Sequence, residues 1–220
     1  MLAERLIRLI APANCLGCGR EGDYLCADCT RTVVRKRPTC HRCNRLELGG
    51  RTCASCRHHT KLSGVIVAAH YEGAVKDLIT TLKYQNAAAA AERLAGLVAP
   101  LVPAAKFDVV TWIPGVPSRY RRRGYHQAEL IARQVARRIG LPATPLLGRL
   151  QTGSQVGLSR AERLRQVKGT FVARGSRSIV GQRVLVVDDV LTTGATLSEA
   201  ASVLKSAGAK SIWSAVAAKH

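Results

Sequence analysis

Eight cysteines lie between Cys15 and Cys56, and the rest of the 220-residue chain has none. They fall in four pairs of one spacing, Cys15/Cys18, Cys26/Cys29, Cys40/Cys43 and Cys53/Cys56, each C-x2-C. That spacing lets two thiolates of one tight turn reach the same metal ion. Eight thiolates complete two tetrahedral four-sulfur sites, for which zinc is the usual occupant. Gly17, Gly19 and Gly22 give the turns the backbone freedom they need. Disulfides fit poorly with a chain that shows no secretion signal, and iron–sulfur ligation is a weaker alternative than zinc. Sequential sites would join the first pair with the second and the third with the fourth, bridged by seven and nine residues. A cross-braced arrangement would join the first pair with the third; two sequential ribbons are the expectation. The segment has few large apolar residues, so metal must supply its folding energy, on the order of 10 kcal/mol per site. His41, His58 and His59 read as bystanders, because the thiolates already close both sites.

Beyond a linker at 57–63 the pattern changes. Gly64 to Tyr71 and Phe107 to Ile113 read as strands. Ala74 to Tyr84 reads as a helix with Val75, Leu78, Ile79 and Leu82 on its buried side, Ala87 to Val102 as a second, and Gln127 to Ile139 as a third. Ile212 to Ala217 gives a last strand. The alternation predicts a three-layer α/β sandwich with a mostly parallel sheet over residues 64–220. Residues 1–60 form the smaller, cysteine-rich module, with a short helix whose face carries Leu2, Leu6, Leu9 and Ile10.

The chemistry concentrates in Val184 to Thr196, VLVVDDVLTTGAT. Four apolar residues, three of them β-branched, read as a buried parallel strand. Asp188 and Asp189 stand at its carboxyl end. Thr192, Thr193, Gly194, Ala195 and Thr196 then lead into a helical pattern. This order suits a sugar phosphate. Gly194 lets the backbone approach a ligand, and the first helix amides can hold a phosphate. Paired carboxylates accept hydrogen bonds from vicinal hydroxyls or approach a metal bound to them. The crevice beyond the carboxyl ends of parallel strands is where open α/β sheets bind ligands.

The string closely resembles the 5-phosphoribosyl-1-diphosphate (PRPP) motif of type I phosphoribosyltransferases. The resemblance implies that Asp188 and Asp189 hold the ribose 2′ and 3′ hydroxyls and that residues Thr192 to Thr196 wrap the 5′-phosphate. A second stretch, Pro114 to Ala128, has a stiff turn followed by Arg119, Arg121, Arg122 and Arg123. Forked guanidinium donors just past a strand end can clamp a diphosphate, with Arg119 and Arg123 as the candidates. Gln155 and Arg163, in a polar and basic stretch from Leu150 to Phe171, could reach the same crevice. The cysteine pairs, Tyr71-Glu72-Gly73, Leu82-Lys83-Tyr84, Arg123-Gly124-Tyr125-His126-Gln127 and the string itself together resemble the ComF family of amidophosphoribosyltransferase-like competence proteins. That family joins a double zinc ribbon to a phosphoribosyltransferase-like domain. This chain departs from it at Trp112, where Pro is frequent, and at His126, where Asn or Asp is.

The resemblance implies Mg²⁺-dependent PRPP binding and, if the protein is an enzyme, phosphoribosyl transfer with release of diphosphate. No side chain stands out as a general base, and no stretch reads as a hood for a purine or pyrimidine, so the acceptor stays open. The alternative is a nucleic-acid-binding accessory protein of DNA uptake, with single-stranded DNA and the uptake machinery as partners and PRPP as regulator or relic. A net charge of +20, from 34 Lys+Arg against 14 Asp+Glu, attracts polyanions of either kind. Aromatic content of only 4% weakens the stacking platforms that single strands favour. No apolar run reaches membrane-spanning length, so stable insertion is not expected and a cytoplasmic location is.

Overall fold

The computed structural model describes residues 13–84, 87–150, 169–175 and 179–220; the side chains of Lys83, Tyr84, Ala87, Arg119 and Arg122 are not among those described. The expected N-terminal helix, Gln155 and Arg163 lie outside the described residues. In chain order the elements are α1 (Ala27–Thr32), β1 (Gly64–His70), α2 (Gly73–Tyr84), α3 (Ala87–Val98), β2 (Val109–Trp112), α4 (Pro117–Arg123), α5 (Gln127–Ile139), β3 (Leu147–Arg149), β4 (Phe171–Ala173), β5 (Arg183–Leu191), α6 (Ala195–Ser206) and β6 (Ser211–Lys219).

Four strands form one sheet in the order β1-β6-β5-β2, every pair parallel. The side-chain period of two sorts β5 between two cores. Leu185 and Val187 join Ile66, Val110 and Ala215 under α2, α3 and α5. Val184 and Val186 join Val109, Ile212 and Val216 under α6, through Leu197, Ala200, Ala201 and Leu204. Helices on both faces leave no polar face to the sheet, which is why its strands are near-continuous apolar runs.

Several boundaries differ from the sequence pattern. β5 runs on through the acidic pair to Leu191, because β6 extends beside it and keeps pairing, Asp188 with Val216 and Leu191 with Lys219. The helix after Ala87 stops at Val98, and a 3-10 turn, Ala99–Leu101, takes up Pro100. The arginine-rich turn is a helix, with Pro117 in its first turn and Gly124, at φ 77°, ending it. β3 and β4 pair antiparallel as a small separate ribbon. Among the described residues no helix is long and apolar enough to cross a membrane.

The cysteine module lies along the outer edge of β1. Near the carboxyl end of that strand, the His70 amide donates to the Val34 carbonyl (3.1 Å), and Arg35 bridges antiparallel to Ala69. At the amino end Arg51 bridges to Gly64, and the Thr52 amide donates to Ser63 (2.9 Å). Leu25 is buried in the helical core, and Arg93 of α3 pairs with Asp23 at 2.8 Å. A sheet edge that would present unpaired backbone groups is thus covered.

Candidate functional site

The carboxyl ends of all four parallel strands open on one cavity of about 330 Å³. Asp188 and Asp189, from β5, form its floor together with Thr192. Each carboxylate accepts from the next amide along, Asp188 from Asp189 N (2.9 Å) and Asp189 from Val190 N (2.8 Å). Thr193, Gly194, Ala195 and Thr196 carry the chain from the cavity into α6. Gly194 caps that helix at φ 76°, a conformation L side chains rarely adopt, and its carbonyl accepts from Ser198 N at 2.9 Å. Thr193 Oγ1 accepts from Ala195 N at 3.4 Å. The backbone amides at the start of α6 have no acceptor within their own helix, so their positive end faces the loop.

One wall comes from the end of β2 and α4. It holds Pro114, Gly115, Tyr120, Arg123, Tyr125, His126 and Gln127. Arg123 therefore lines the same cavity as the acidic pair, whereas Arg119 sits on the same helix with its side chain outside the described set. The rings of Tyr120 and His126 stack at 4.5 Å and 25°. Gly115 makes room for that imidazole, since a Cβ there would stand 2.6 Å from His126 Nδ1. Burial pushes the His126 pKa down, against a smaller opposing effect of Glu129, which favours a neutral ring. The Tyr125 hydroxyl donates to Leu82 O at 2.9 Å, and burial raises its pKa against the nearby Arg123. Gln127 Nε2 is buried with no hydrogen-bond partner among the described residues. Trp112 takes no part in this wall: it lies in the helical core with the Arg133 guanidinium 5.2 Å from its ring centroid.

The other wall is built by residues just past β1 and β6. Tyr71 and His220 meet there with ring centroids 4.2 Å apart. Arg149 reaches the cavity from β3 and lies 3.4 Å from Pro114 O. The sequence reading singled out neither His220, Arg149 nor Tyr120 for the site. Position one residue past a parallel strand is the signal that could have found His220; Arg149 belongs to a ribbon the sequence pattern did not reveal.

The cysteines form two clusters, Cys15/Cys18/Cys26/Cys29 and Cys40/Cys43/Cys53/Cys56, with ligand atoms within 4.8 Å of one another. The sequential pairing is therefore the observed one. Cys26 N donates to Cys15 Sγ at 3.4 Å, and Cys29 N to Cys26 Sγ at 3.4 Å, the amide-to-sulfur bonds that stabilise thiolates in a tight turn. Burial opposes ionisation of Cys15, yet the amides of Cys26, Cys18 and Gly17 hold its pKa at about 6. Its neighbour Cys29 is pushed up to about 12, foremost by Cys26 and then by Cys15 and Cys18. In the second cluster Cys53 is held at about 6, its first partner being the Ser55 hydroxyl, and Cys56 is driven to about 12 by Cys53. Thiols this close share protons until a dication replaces them, and an all-sulfur tetrahedral set is what zinc takes. His41, His58 and His59 contribute to neither cluster. Burial drives the His41 pKa down to about 4, aided by Arg42 and Lys219.

Two family models match: a double zinc ribbon domain at residues 6–61 and a phosphoribosyl transferase domain at residues 126–220. The chain is 30% identical to competence protein F of Haemophilus influenzae over 200 residues, covering 86% of this chain and 87% of that one. The chain belongs to the ComF family. It is also 28% identical to competence protein ComFC of Streptococcus pneumoniae, over 87% of this chain and 86% of that one. It is 27% identical to the DNA utilization protein YhgH of Salmonella typhi, over 86% and 87%. In this ComF chain the zinc ribbon match takes in both four-cysteine clusters. The phosphoribosyl transferase match begins at His126 and includes β5, α6 and β6. β1, β2 and α4, which supply part of each wall of the cavity, lie before it.

Proposed function

We propose that the cavity binds PRPP with Mg²⁺, and that residues 64–220 work as a phosphoribosyltransferase-like domain beside a zinc-ribbon module at 1–60. The observation that carries this is the β5–α6 junction: two adjacent carboxylates and Thr192 line one cavity with Arg123, and a Thr/Gly loop leads from there into a helix. Asp188 and Asp189 take the ribose hydroxyls. Thr192, Thr193, Gly194, Ala195 and Thr196 take the 5′-phosphate through hydroxyls and backbone amides. Arg123, with Arg119 on the same helix, attracts the diphosphate. Bound Mg²⁺ would neutralise charge on the diphosphate. The chemistry this suits is displacement at the anomeric carbon: a bond from the acceptor forms, the bond to diphosphate oxygen breaks, and its electron pair leaves with the diphosphate. The protein's share is to position the sugar and shield charge.

A second reading is single-stranded DNA binding in DNA uptake. It is favoured by a groove of about 480 Å³ near the amino ends of β1 and β6, where Arg51, Arg57 and Trp213 stand beside Glu47 and Cys53, with Lys106 Nζ 5.8 Å from the Trp213 ring centroid. One experiment separates the two. Calorimetry with Mg²⁺-PRPP is run on wild type, Asp188→Asn and Asp189→Asn, and the same samples are titrated with a single-stranded oligonucleotide across a salt series. Each substitution removes a charge-assisted hydrogen bond of about 1.5–3 kcal/mol and should weaken PRPP tenfold or more. DNA affinity, which backbone charge dominates, should stay unchanged. Wild type that gives no PRPP heat at millimolar ligand but binds DNA steeply with falling salt would overturn the first reading in favour of the second.

A further inference from the structure

The last residue of β6 stands between the second cysteine cluster and the cavity. Lys219 Nζ donates to Asn44 Oδ1 at 2.6 Å, joining residues 175 apart in sequence. Its carbonyl accepts from Tyr71 N at 3.0 Å, and it pairs with His70 of β1 and Leu191 of β5. The residues on either side of that hydrogen-bonded step, Tyr71 and His220, are the two rings of one cavity wall.

At the other end, Asn44 directly follows Cys43. Its amide closes the metal-binding turn by donating to Cys40 O at 2.9 Å. It is also the one residue other than glycine with positive φ among the described residues, at 60°. The first ribbon has the same turn, with Gly19 N donating to Cys15 O at 2.8 Å. There the equivalent position is glycine at φ 75°, with nothing within 4 Å of where a Cβ would be. Glycine is the residue this conformation favours. The second ribbon instead keeps a side chain in it, and that side chain is the one that holds Lys219. A second strap joins the same strand ends: the segment between the ribbons supplies Val34 O to His70 N at 3.1 Å.

We propose that the second four-cysteine site and the cavity are coupled through Asn44 and Lys219, so that metal in the one and sugar phosphate in the other stabilise each other. Metal fixes the turn that aims Asn44; Asn44 fixes Lys219; Lys219 fixes the backbone step that sets Tyr71 and His220. Coupling of this kind is reciprocal by thermodynamic necessity. Lys219 and Asn44 are positioning residues: neither touches the ligand. The ligand half of the test rests on the PRPP reading, and the second readout does not.

The test uses the full-length zinc-loaded protein and the variant Asn44→Gly. That change removes the amide while leaving the turn in its preferred residue, so a purely structural role predicts no loss. Zinc affinity is measured by equilibrium competition with a chromophoric chelator, with and without ribose 5-phosphate in excess Mg²⁺. In wild type the ligand should tighten the second zinc by about fivefold or more, the low end of typical couplings. In Asn44→Gly, with zinc content unchanged, and in Lys219→Met, the tightening should fall below about twofold. Equal tightening in wild type and Asn44→Gly would overturn the proposal. The second readout is the His220 ring resonance in histidine-labelled protein as zinc is withdrawn. It should shift in wild type and shift far less in Asn44→Gly. An unmoved resonance in wild type would overturn the coupling whether or not PRPP binds. Ligand that leaves zinc affinity unchanged while the His220 shift is present would instead count against the PRPP reading.

Discussion

Asp108 and Arg183 show how the residues that frame the sheet are tied. Arg183 N donates to Asp108 Oδ2 at 2.8 Å, its guanidinium Nη2 meets Oδ1 at 2.6 Å, and Nη1 reaches Ala105 O at 2.9 Å. The pair locks the starts of β2 and β5 in register. The hydrogen bond from the Arg183 side chain, with its backbone amide next, lowers the Asp108 pKa to about 2. Its folded pKa thus lies below the unfolded value of about 3.9. The stabilisation is therefore complete above about pH 4 and is lost as pH falls toward about 2. Asp108→Asn should lower the melting temperature at neutral pH, and the gap to wild type should close between pH 4 and pH 2 in thermal scans. This pair was not legible in the sequence, because nothing local marks two residues that far apart as partners. Asp188 and Asp189 were legible, because adjacent carboxylates after an apolar run, then a Thr/Gly loop, form one continuous string. Tyr71 and His220 meet only through the pairing of β1 with β6, which a single chain of letters does not display.

Elements with strong periodicity declare themselves. α5 runs from Gln127 to Ile139 as its amphipathic pattern predicts, with Ile131, Ala132, Val135 and Ala136 buried. α4 does not, since a run of arginines carries no apolar stripe; its beginning at a proline and its end at Gly124 come from local backbone geometry. β3 and β4 are too short to show a period. The docking of the cysteine module on β1 is another tertiary fact, and at the amino end of that strand it turns on one glycine. Gly50 has φ 75°, and a Cβ there would come within 2.1 Å of the Val65 carbonyl oxygen. The carbonyl of a residue held in the ladder between β1 and β6 cannot rotate away. Gly50→Ala should therefore part the module from the amino end of β1 while leaving both zinc sites loaded. Hydrogen exchange should report it as faster exchange over the first residues of that strand, well beyond the about 1–2 kcal/mol that left-handed backbone strain alone would cost. Unchanged protection there would mean the edge is covered some other way.

At the scale of the whole molecule, the cysteine module and the α/β domain share a boundary instead of hanging on a linker. Leu25 lies in the same core as α2 and α3, and the strand whose edge the module covers ends at Tyr71 on the cavity wall. The fold class and the two zinc sites followed from spacing and alternation. The mutual docking did not, because contacts between modules leave no period in a sequence. A crystal structure of the protein with PRPP and Mg²⁺ decides what the cavity holds. It should show the 5′-phosphate against residues 192–196, the ribose hydroxyls on Asp188 and Asp189, and the diphosphate toward α4 and Arg123. PRPP bound away from the β5–α6 junction, or lying in the cavity with its phosphate and diphosphate ends exchanged, would contradict that placement.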